Sequence, residues 1–142
     1  MSRSGYSDDI EDVLHLGRWR AQVKSSIRGK RGQAFLRELA REMDAMPEKS
    51  LITGTLISDD GSCCTIGVVC KARGVDVSKV DPDEPDQVGE AVGITHQLAS
   101  EIEWLNDEWI AIESPEDRWK RMREWVESQI RSDTKNGNES EI

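Results

Sequence analysis

Histidines, cysteines and long apolar runs are scarce in this 142-residue sequence, and each shortage argues against a class of protein. It has two histidines and three cysteines, an odd number without the spacing of a disulfide framework or a metal site. No apolar run approaches the roughly 20 residues that a membrane span needs, and residues 1–13 hold no apolar segment of signal-peptide length. The sequence therefore predicts a cytoplasmic protein with no cofactor and no bound metal.

Side chains that carry catalysis are equally few. An enzyme would have to use His15, His96, Cys63, Cys64 and Cys70, which lie on different predicted elements without mutual spacing. Buried cysteine behaves as a small apolar residue, and that is the role expected for all three. We therefore predict a non-enzymatic protein.

Apolar residues make up 36% of the chain and charged residues 33%, which is lean for a globular protein. Five tryptophans compensate, because each can bury about 150–250 Å². One helical domain is predicted over residues 10–131, between a flexible arm at 1–9 and a disordered tail at 132–142. A single core should contain one apolar residue set: Trp19, Phe35, Leu39, Leu98, Ile102, Trp119, Met122 and Val126.

Residues 17–49 carry two helical patterns joined by a basic, glycine-containing hinge. Trp19, Val23 and Ile27 recur every fourth residue, and a second apolar stripe begins at Phe35. Gly29 and Gly32 interrupt the helical pattern at the junction. The pattern predicts a helix pair with its apolar faces together and its basic turn in water.

The segment 51–64 predicts a β-hairpin near the middle of the chain. Residues 51–57 are rich in β-branched side chains, and a turn signal follows at 59–61. Two interpretations stay open for the next residues: a return strand over 63–69, or a helix that starts after Ser62 and ends at Gly74. A very short return strand followed by a helix is favoured. Residues 76–86, rich in proline and aspartate, predict a loop.

Two further helices have clear start signals. Thr95 should cap a helix whose core stripe begins at Leu98, and Ser114 before Pro115 should cap the C-terminal helix. The cations of the C-terminal helix lie off its apolar stripe and are expected to face water: Arg118, Lys120, Arg121 and Arg123. The predicted fold class is mainly α with a small β-hairpin (α+β), a single-domain bundle of about five helices.

The net charge of −9 is unevenly distributed. Residues 17–49 hold nine Lys/Arg against four Asp/Glu, whereas residues 76–117 hold one Lys against thirteen Asp/Glu. Either the two stretches attract each other across the fold, or one of them is a docking surface. The basic candidates are Arg18, Arg20, Arg28, Lys30 and Arg31. The acidic candidates are Asp81, Asp83, Glu84, Asp86, Glu101, Glu103, Asp107 and Glu108.

Several stretches of the sequence look familiar together: GYSDD at residues 5–9, RWR at 18–20, IRGKRGQAFLREL at 27–39, EIEWLNDE at 101–108 and PEDRWKRMREWV at 115–126. They resemble a family of small, uncharacterised proteins encoded by bacteriophages and prophages, over nearly the whole chain. The resemblance carries no activity, cofactor or catalytic residue. It implies a phage accessory protein that works in the bacterial cytoplasm.

Two functions follow as expectations. The first is a protein that binds and modulates a host or phage protein, as an inhibitor of host defence or nucleic-acid processing, with its acidic surface imitating a phosphate backbone. The second is direct nucleic-acid binding through the basic helix-turn-helix region 17–49.

Overall fold

The structure, a computed structural model, describes residues 13–108 and 112–131. Six α-helices occupy most of this range. They are α1 (Val13–Arg28), α2 (Lys30–Ala45), α3 (Thr65–Arg73), α4 (Pro85–Val92), α5 (His96–Glu108) and α6 (Pro115–Gln129). The predicted helical bundle is confirmed, with six helices instead of about five. The arm predicted at residues 1–9 and the tail predicted at 132–142 lie outside the described residues.

Helices α1 and α2 form the expected pair, with only Gly29 between them. They cross closely because Gly32 has no side chain: a β-carbon there would lie 1.9 Å from the carbonyl oxygen of Ser26. Helix α2 contacts α1, α3 and α6, and α5 contacts α1, α3, α4 and α6, so both helices pack against several others in the bundle. The apolar stripe of α2, from Phe35 through Leu39 to Met43, is buried as the spacing predicts.

The predicted β-hairpin over residues 51–64 is not formed. Within the described part of the chain there is no strand, only one isolated antiparallel bridge between Ile57 and Cys63. Gly54, with a φ of 84°, turns the backbone in the middle of the run that was expected to be extended. The segment is therefore a loop that packs on the helices.

Distant parts of the chain satisfy the backbone groups that a partner strand would have used. The N–H of Leu51 donates to the carbonyl oxygen of Pro115 at 3.1 Å. The carbonyl oxygen of Leu51 accepts from Arg118, and that of Ile52 accepts from Asn106, both at 2.9 Å. Because α5 and α6 supply these partners, the segment does not need a strand pairing.

The open choice after residue 62 is resolved in favour of a helix. Helix α3 runs from Thr65 to Arg73 and ends at Gly74, which adopts the left-handed conformation with a φ of 72°. Gly67 lets α3 approach the loop, because a β-carbon there would lie 1.9 Å from the carbonyl oxygen of Leu56.

The loop predicted at residues 76–86 is only partly correct. Asp76 caps a turn of 3₁₀ helix, Val77–Lys79, by accepting a hydrogen bond from the N–H of Ser78 at 3.1 Å. Helix α4 then begins at Pro85, two residues before the expected Gln87. Proline suits this position because the first helical turn does not need its N–H.

Both predicted caps of the later helices are confirmed. The hydroxyl of Thr95 accepts from the N–H of Leu98 at 3.1 Å at the start of α5. The hydroxyl of Ser114 accepts from the N–H of Asp117 at 3.0 Å at the start of α6. These bonds fix where each helix begins.

One hydrophobic cluster joins all six helices and the loop at 51–64. Six of the eight residues predicted for it are buried: Phe35, Leu39, Leu98, Ile102, Met122 and Val126. Trp19 and Trp119 are only partly buried and pack against its edge. All three cysteines are buried, as expected.

Candidate functional site

All five predicted basic residues are exposed at the α1–α2 hinge or along α1. Arg18 and Arg20 lie near the start of α1, Arg28 ends it, and Lys30 and Arg31 begin α2. Within residues 13–108 and 112–131, none of the five forms an ion pair with a carboxylate. Their charges are therefore presented to solvent.

Three neighbouring depressions run around this hinge, with volumes of about 340, 450 and 560 Å³. Adjacent depressions share lining residues, because Ser25 and Gly29 line two of them and so do Lys24 and Arg28. Among the described residues, every charged side chain that lines them is a cation, and we call this set the hinge surface: Lys24, Arg28, Lys30, Arg31 and Arg131. Arg18 and Arg20 lie on α1 outside the depressions.

Gln33 holds the end of α6 beside the hinge. Its amide nitrogen donates to the carbonyl oxygens of Ile27 at 2.8 Å and Gln129 at 3.0 Å. Its amide oxygen accepts from the N–H of Arg131 at 2.8 Å. This buried clamp joins three helices and brings Arg131 next to α1.

Neither the clamp nor the two additional cations, Lys24 and Arg131, was predicted from the sequence. A signal for the clamp was present, because Gln33 stands three residues before Leu36 and seven before Ala40, on the buried face of α2. A polar residue on such a face needs internal partners. No signal in the sequence could place Arg131, more than 100 residues further along the chain, beside Lys24 and Arg28.

The predicted acidic surface is smaller than expected. Four residues around the start of α4 are exposed and form what we call the acidic patch: Asp81, Asp83, Glu84 and Asp86. Glu101 and Asp107 are half-buried, and Asp107 accepts from the side-chain amide of Asn106 at 2.7 Å. The side chain of Glu108 lies outside the described residues.

The assignment of Glu103 to this surface is wrong, since the residue is fully buried. Glu103 stands four residues after Ala99 and three before Asn106, and both of these are buried too. The three therefore share one inward face of α5. Sequence reasoning placed Glu103 outside because it used the apolar stripe alone.

No ion pair among the described residues joins the hinge surface to the acidic patch. The carboxylates that do pair belong to other parts of the bundle. Glu38 pairs with Arg73 on α3, and the hydrogen bond from this guanidinium holds the pKa of Glu38 below its usual value. Neither charged surface is thus neutralised by the other through a described ion pair.

The expectation that the α6 cations face water is wrong for Arg118 and needs correction for two others. Arg118 is buried and donates to the carbonyl oxygens of Asn106 at 3.1 Å and Leu51 at 2.9 Å. Arg121 forms a two-point ion pair with Glu113, at 2.7 and 2.8 Å. These side chains hold loops to the bundle, so they are unavailable as a docking surface.

Arg123 of α6 also forms an ion pair within the bundle. It pairs with Asp44 on α2 at 2.9 and 3.0 Å. The hydrogen bond between them lowers the pKa of Asp44 and raises that of Arg123. Of the predicted exposed cations on α6, only Lys120 is exposed without a described ion pair.

The cysteine environment disfavours thiolate chemistry. Burial raises the pKa of the Cys63 thiol, and it raises the pKa of Cys70 to about 12. A thiol is a weak nucleophile until it loses its proton. His96 is exposed and lies against Trp19, with the ring centroids 5.8 Å apart, whereas the side chain of His15 lies outside the described residues.

In the part of the chain that the structure describes, no group of three or more His, Cys, Asp and Glu side chains is arranged to hold a metal ion. None of the described helices combines the length and apolar character required to span a bilayer. Comparison of the chain with protein-family models, curated proteins and solved structures gave no match.

Proposed function

We propose that this protein is a non-enzymatic binding protein whose hinge surface holds the phosphate backbone of a nucleic acid. The observation that supports this most directly is the set of depressions around the α1–α2 hinge, in which all charged lining residues in the described part of the chain are cations. Lysine and arginine bind phosphates and release the counterions condensed on a nucleic acid, which supplies most of the affinity of non-specific complexes.

The net charge of −9 opposes such binding at long range. At close range, the binding of a nucleic acid depends on the local distribution of charge. At physiological salt, interactions between charges are largely screened beyond about 8 Å. The acidic patch lies around the start of α4, whereas the hinge depressions include Ile94 and Thr95, which follow its end. A phosphate strand on the hinge surface therefore approaches cations first.

A gel shift of a labelled duplex tests this proposal. The double variant Arg28→Ala/Arg31→Ala should weaken binding about tenfold or more, because each removed phosphate contact lowers the affinity. The matched control is Lys120→Ala, which removes an exposed cation from the first half of α6, the opposite end of that helix from Arg131. Equal binding by the double variant and the control would reject the hinge surface as the site.

A second function is favoured by the exposure of the acidic patch and by the lack of a described ion pair between it and the hinge surface. Four carboxylates in six residues can imitate phosphates and occupy the basic site of a nucleic-acid-binding protein. Together with the resemblance to phage and prophage proteins, this supports an inhibitor of a host defence or nucleic-acid-processing system.

A pull-down from bacterial lysate tests this second function. The partner should be released by salt and by competing duplex, and it should be lost with the variant Asp81→Asn/Asp83→Asn/Glu84→Gln/Asp86→Asn. Asp76→Asn, an exposed carboxylate outside the patch, is the control. A partner that binds this quadruple variant as well as the unmodified chain would reject the acidic patch.

A further inference from the structure

We infer that the ligand of the hinge surface is a nucleic-acid duplex held by its phosphates alone, without stacking on bases and without reading their sequence. This inference rests on the proposed function of the hinge surface and names its ligand more narrowly. It follows from three properties of the surface: its lining residues, the packing of α2 and the internal hydrogen bonds of the nearby amide side chains.

No aromatic side chain from residues 13–108 or 112–131 lines the depressions around the hinge. Sites for single strands combine a cationic groove with aromatic rings on which bases stack, each worth about 1–3 kcal/mol. The nearest tryptophan along α1, Trp19, is partly buried against the core and packs edge-on with His96. A single strand would therefore gain phosphate contacts here but no stacking.

Helix α2 contributes less of its length to the hinge surface than the recognition helix of a helix-turn-helix protein contributes to its DNA contact. In that motif the second helix enters the major groove and presents side chains to base edges. Here α2 packs against α1, α3 and α6, and only its first turn, with Lys30 and Arg31, lines the hinge depressions. The resemblance of residues 17–49 to a helix-turn-helix is thus limited to two consecutive helices.

Two of the amide side chains near the surface already form hydrogen bonds inside the protein. Glutamine reads adenine through paired hydrogen bonds from its amide. The amide of Gln33 is taken up by Ile27, Gln129 and Arg131. The amide of Gln22 accepts from that of Gln97 at 2.9 Å. Gln33 therefore cannot bind a base edge without breaking an internal bond, and the oxygen of Gln22 is already engaged.

The hinge surface suits a sugar–phosphate strand instead. Ala21, Ser25 and Gly29 recur every fourth residue and line the middle depression together with Lys24 and Arg28. Small residues allow a strand to come close, and the two cations stand one helical turn apart, about 6 Å along the axis. Without stacking, affinity depends on counterion release, which is larger per contact for a duplex than for a single strand.

Fluorescence anisotropy with the full chain tests the inference at roughly 0.1 M salt. The probes are a labelled duplex of about two helical turns and its separate strands. We expect the duplex to bind about tenfold tighter than either strand, and unlabelled duplexes of shuffled sequence to compete within about twofold of one another. Lys24→Ala/Arg28→Ala should lower the duplex affinity about tenfold, and Lys120→Ala should not.

The outcomes separate the inference from the proposed function. If a single strand binds as tightly as the duplex, or one duplex sequence is preferred by about tenfold or more, the inference is overturned while the proposed function stands. If neither duplex nor single strand binds, the proposed function is overturned and the inference with it.

Discussion

Arg118, near the start of α6, donates from its guanidinium to the carbonyl oxygen of Leu51 at 2.9 Å, across 67 residues of sequence. The contact is buried, with Arg118 only 8% exposed. It fixes the loop at 51–64 to the bundle. A cation that the helical pattern placed in water is thus one of the main supports of the fold.

Replacing Arg118 by leucine should lower the free energy of unfolding by about 3–5 kcal/mol. Two buried carbonyl oxygens, those of Leu51 and Asn106, would lose their donor, and Glu113 would keep only Arg121. Urea unfolding measures the loss. Lys120→Leu, at an exposed position on the same helix, should change the free energy by no more than about 0.5 kcal/mol. Equal effects of the two changes would mean that Arg118 is exposed in solution.

Substitution by alanine should have opposite effects on protein stability at two glycines of the α1–α2 pair. Gly32→Ala should destabilise the protein by about 1–3 kcal/mol or more, because its β-carbon would collide with the carbonyl oxygen of Ser26. Gly17→Ala should stabilise it by up to about 1 kcal/mol, since Gly17 is an exposed helical position with no atom within 4 Å of a β-carbon. Thermal melts of both variants check the pair. Stabilisation by Gly32→Ala would contradict the close helix crossing.

Stability should fall in acid partly through Glu113. The hydrogen bond from Arg121 lowers the pKa of Glu113 below its usual 4.5. A carboxyl with a lowered native pKa contributes stability above its unfolded pKa and loses it as the pH falls through the native value. The contribution should therefore be complete at pH 7 and decline below pH 4.5. Urea midpoints for the unmodified chain should drop more steeply there than those of Glu113→Gln; parallel curves would exclude this ion pair as the cause.

The three cysteines should react with a thiol reagent only when the protein unfolds. All three are buried, and the pKa of Cys70 is raised to about 12 by burial. At pH 8 the native protein should be modified much more slowly than the same chain in denaturant. Rapid modification of one thiol in the native protein would argue for a reactive cysteine and against the non-enzymatic proposal.

The helices of this fold could be predicted from the sequence because the patterns that indicate them involve residues close together in the chain. The stripe from Phe35 to Met43, the caps Thr95 and Ser114, and the helix end at Gly74 depend on residues a few positions apart. These local patterns determine where a helix starts, which face is apolar and where it ends.

The parts that were mispredicted depend on partners far away in sequence. The β-branched run at 51–57 became a loop because Asn106 and Arg118 satisfy its backbone. Glu103 and Arg118 are buried, although both have ionisable side chains. An apolar stripe identifies a helix face but cannot reveal which polar residues find buried partners. The exposure of Arg28, Lys30 and Arg31 was predictable from local patterns, whereas the proximity of Arg28 to Arg131 was not.

The salt dependence of duplex binding by the full chain tests the central claim most directly. If all five cations of the hinge surface contact phosphates, the slope of log K against log salt should approach about −4.5. Arg31→Ala should make this slope shallower by about one, and Lys120→Ala should leave it unchanged. A slope near zero, or one that Lys120→Ala changes as much as Arg31→Ala does, would contradict the assignment of nucleic-acid binding to the hinge surface.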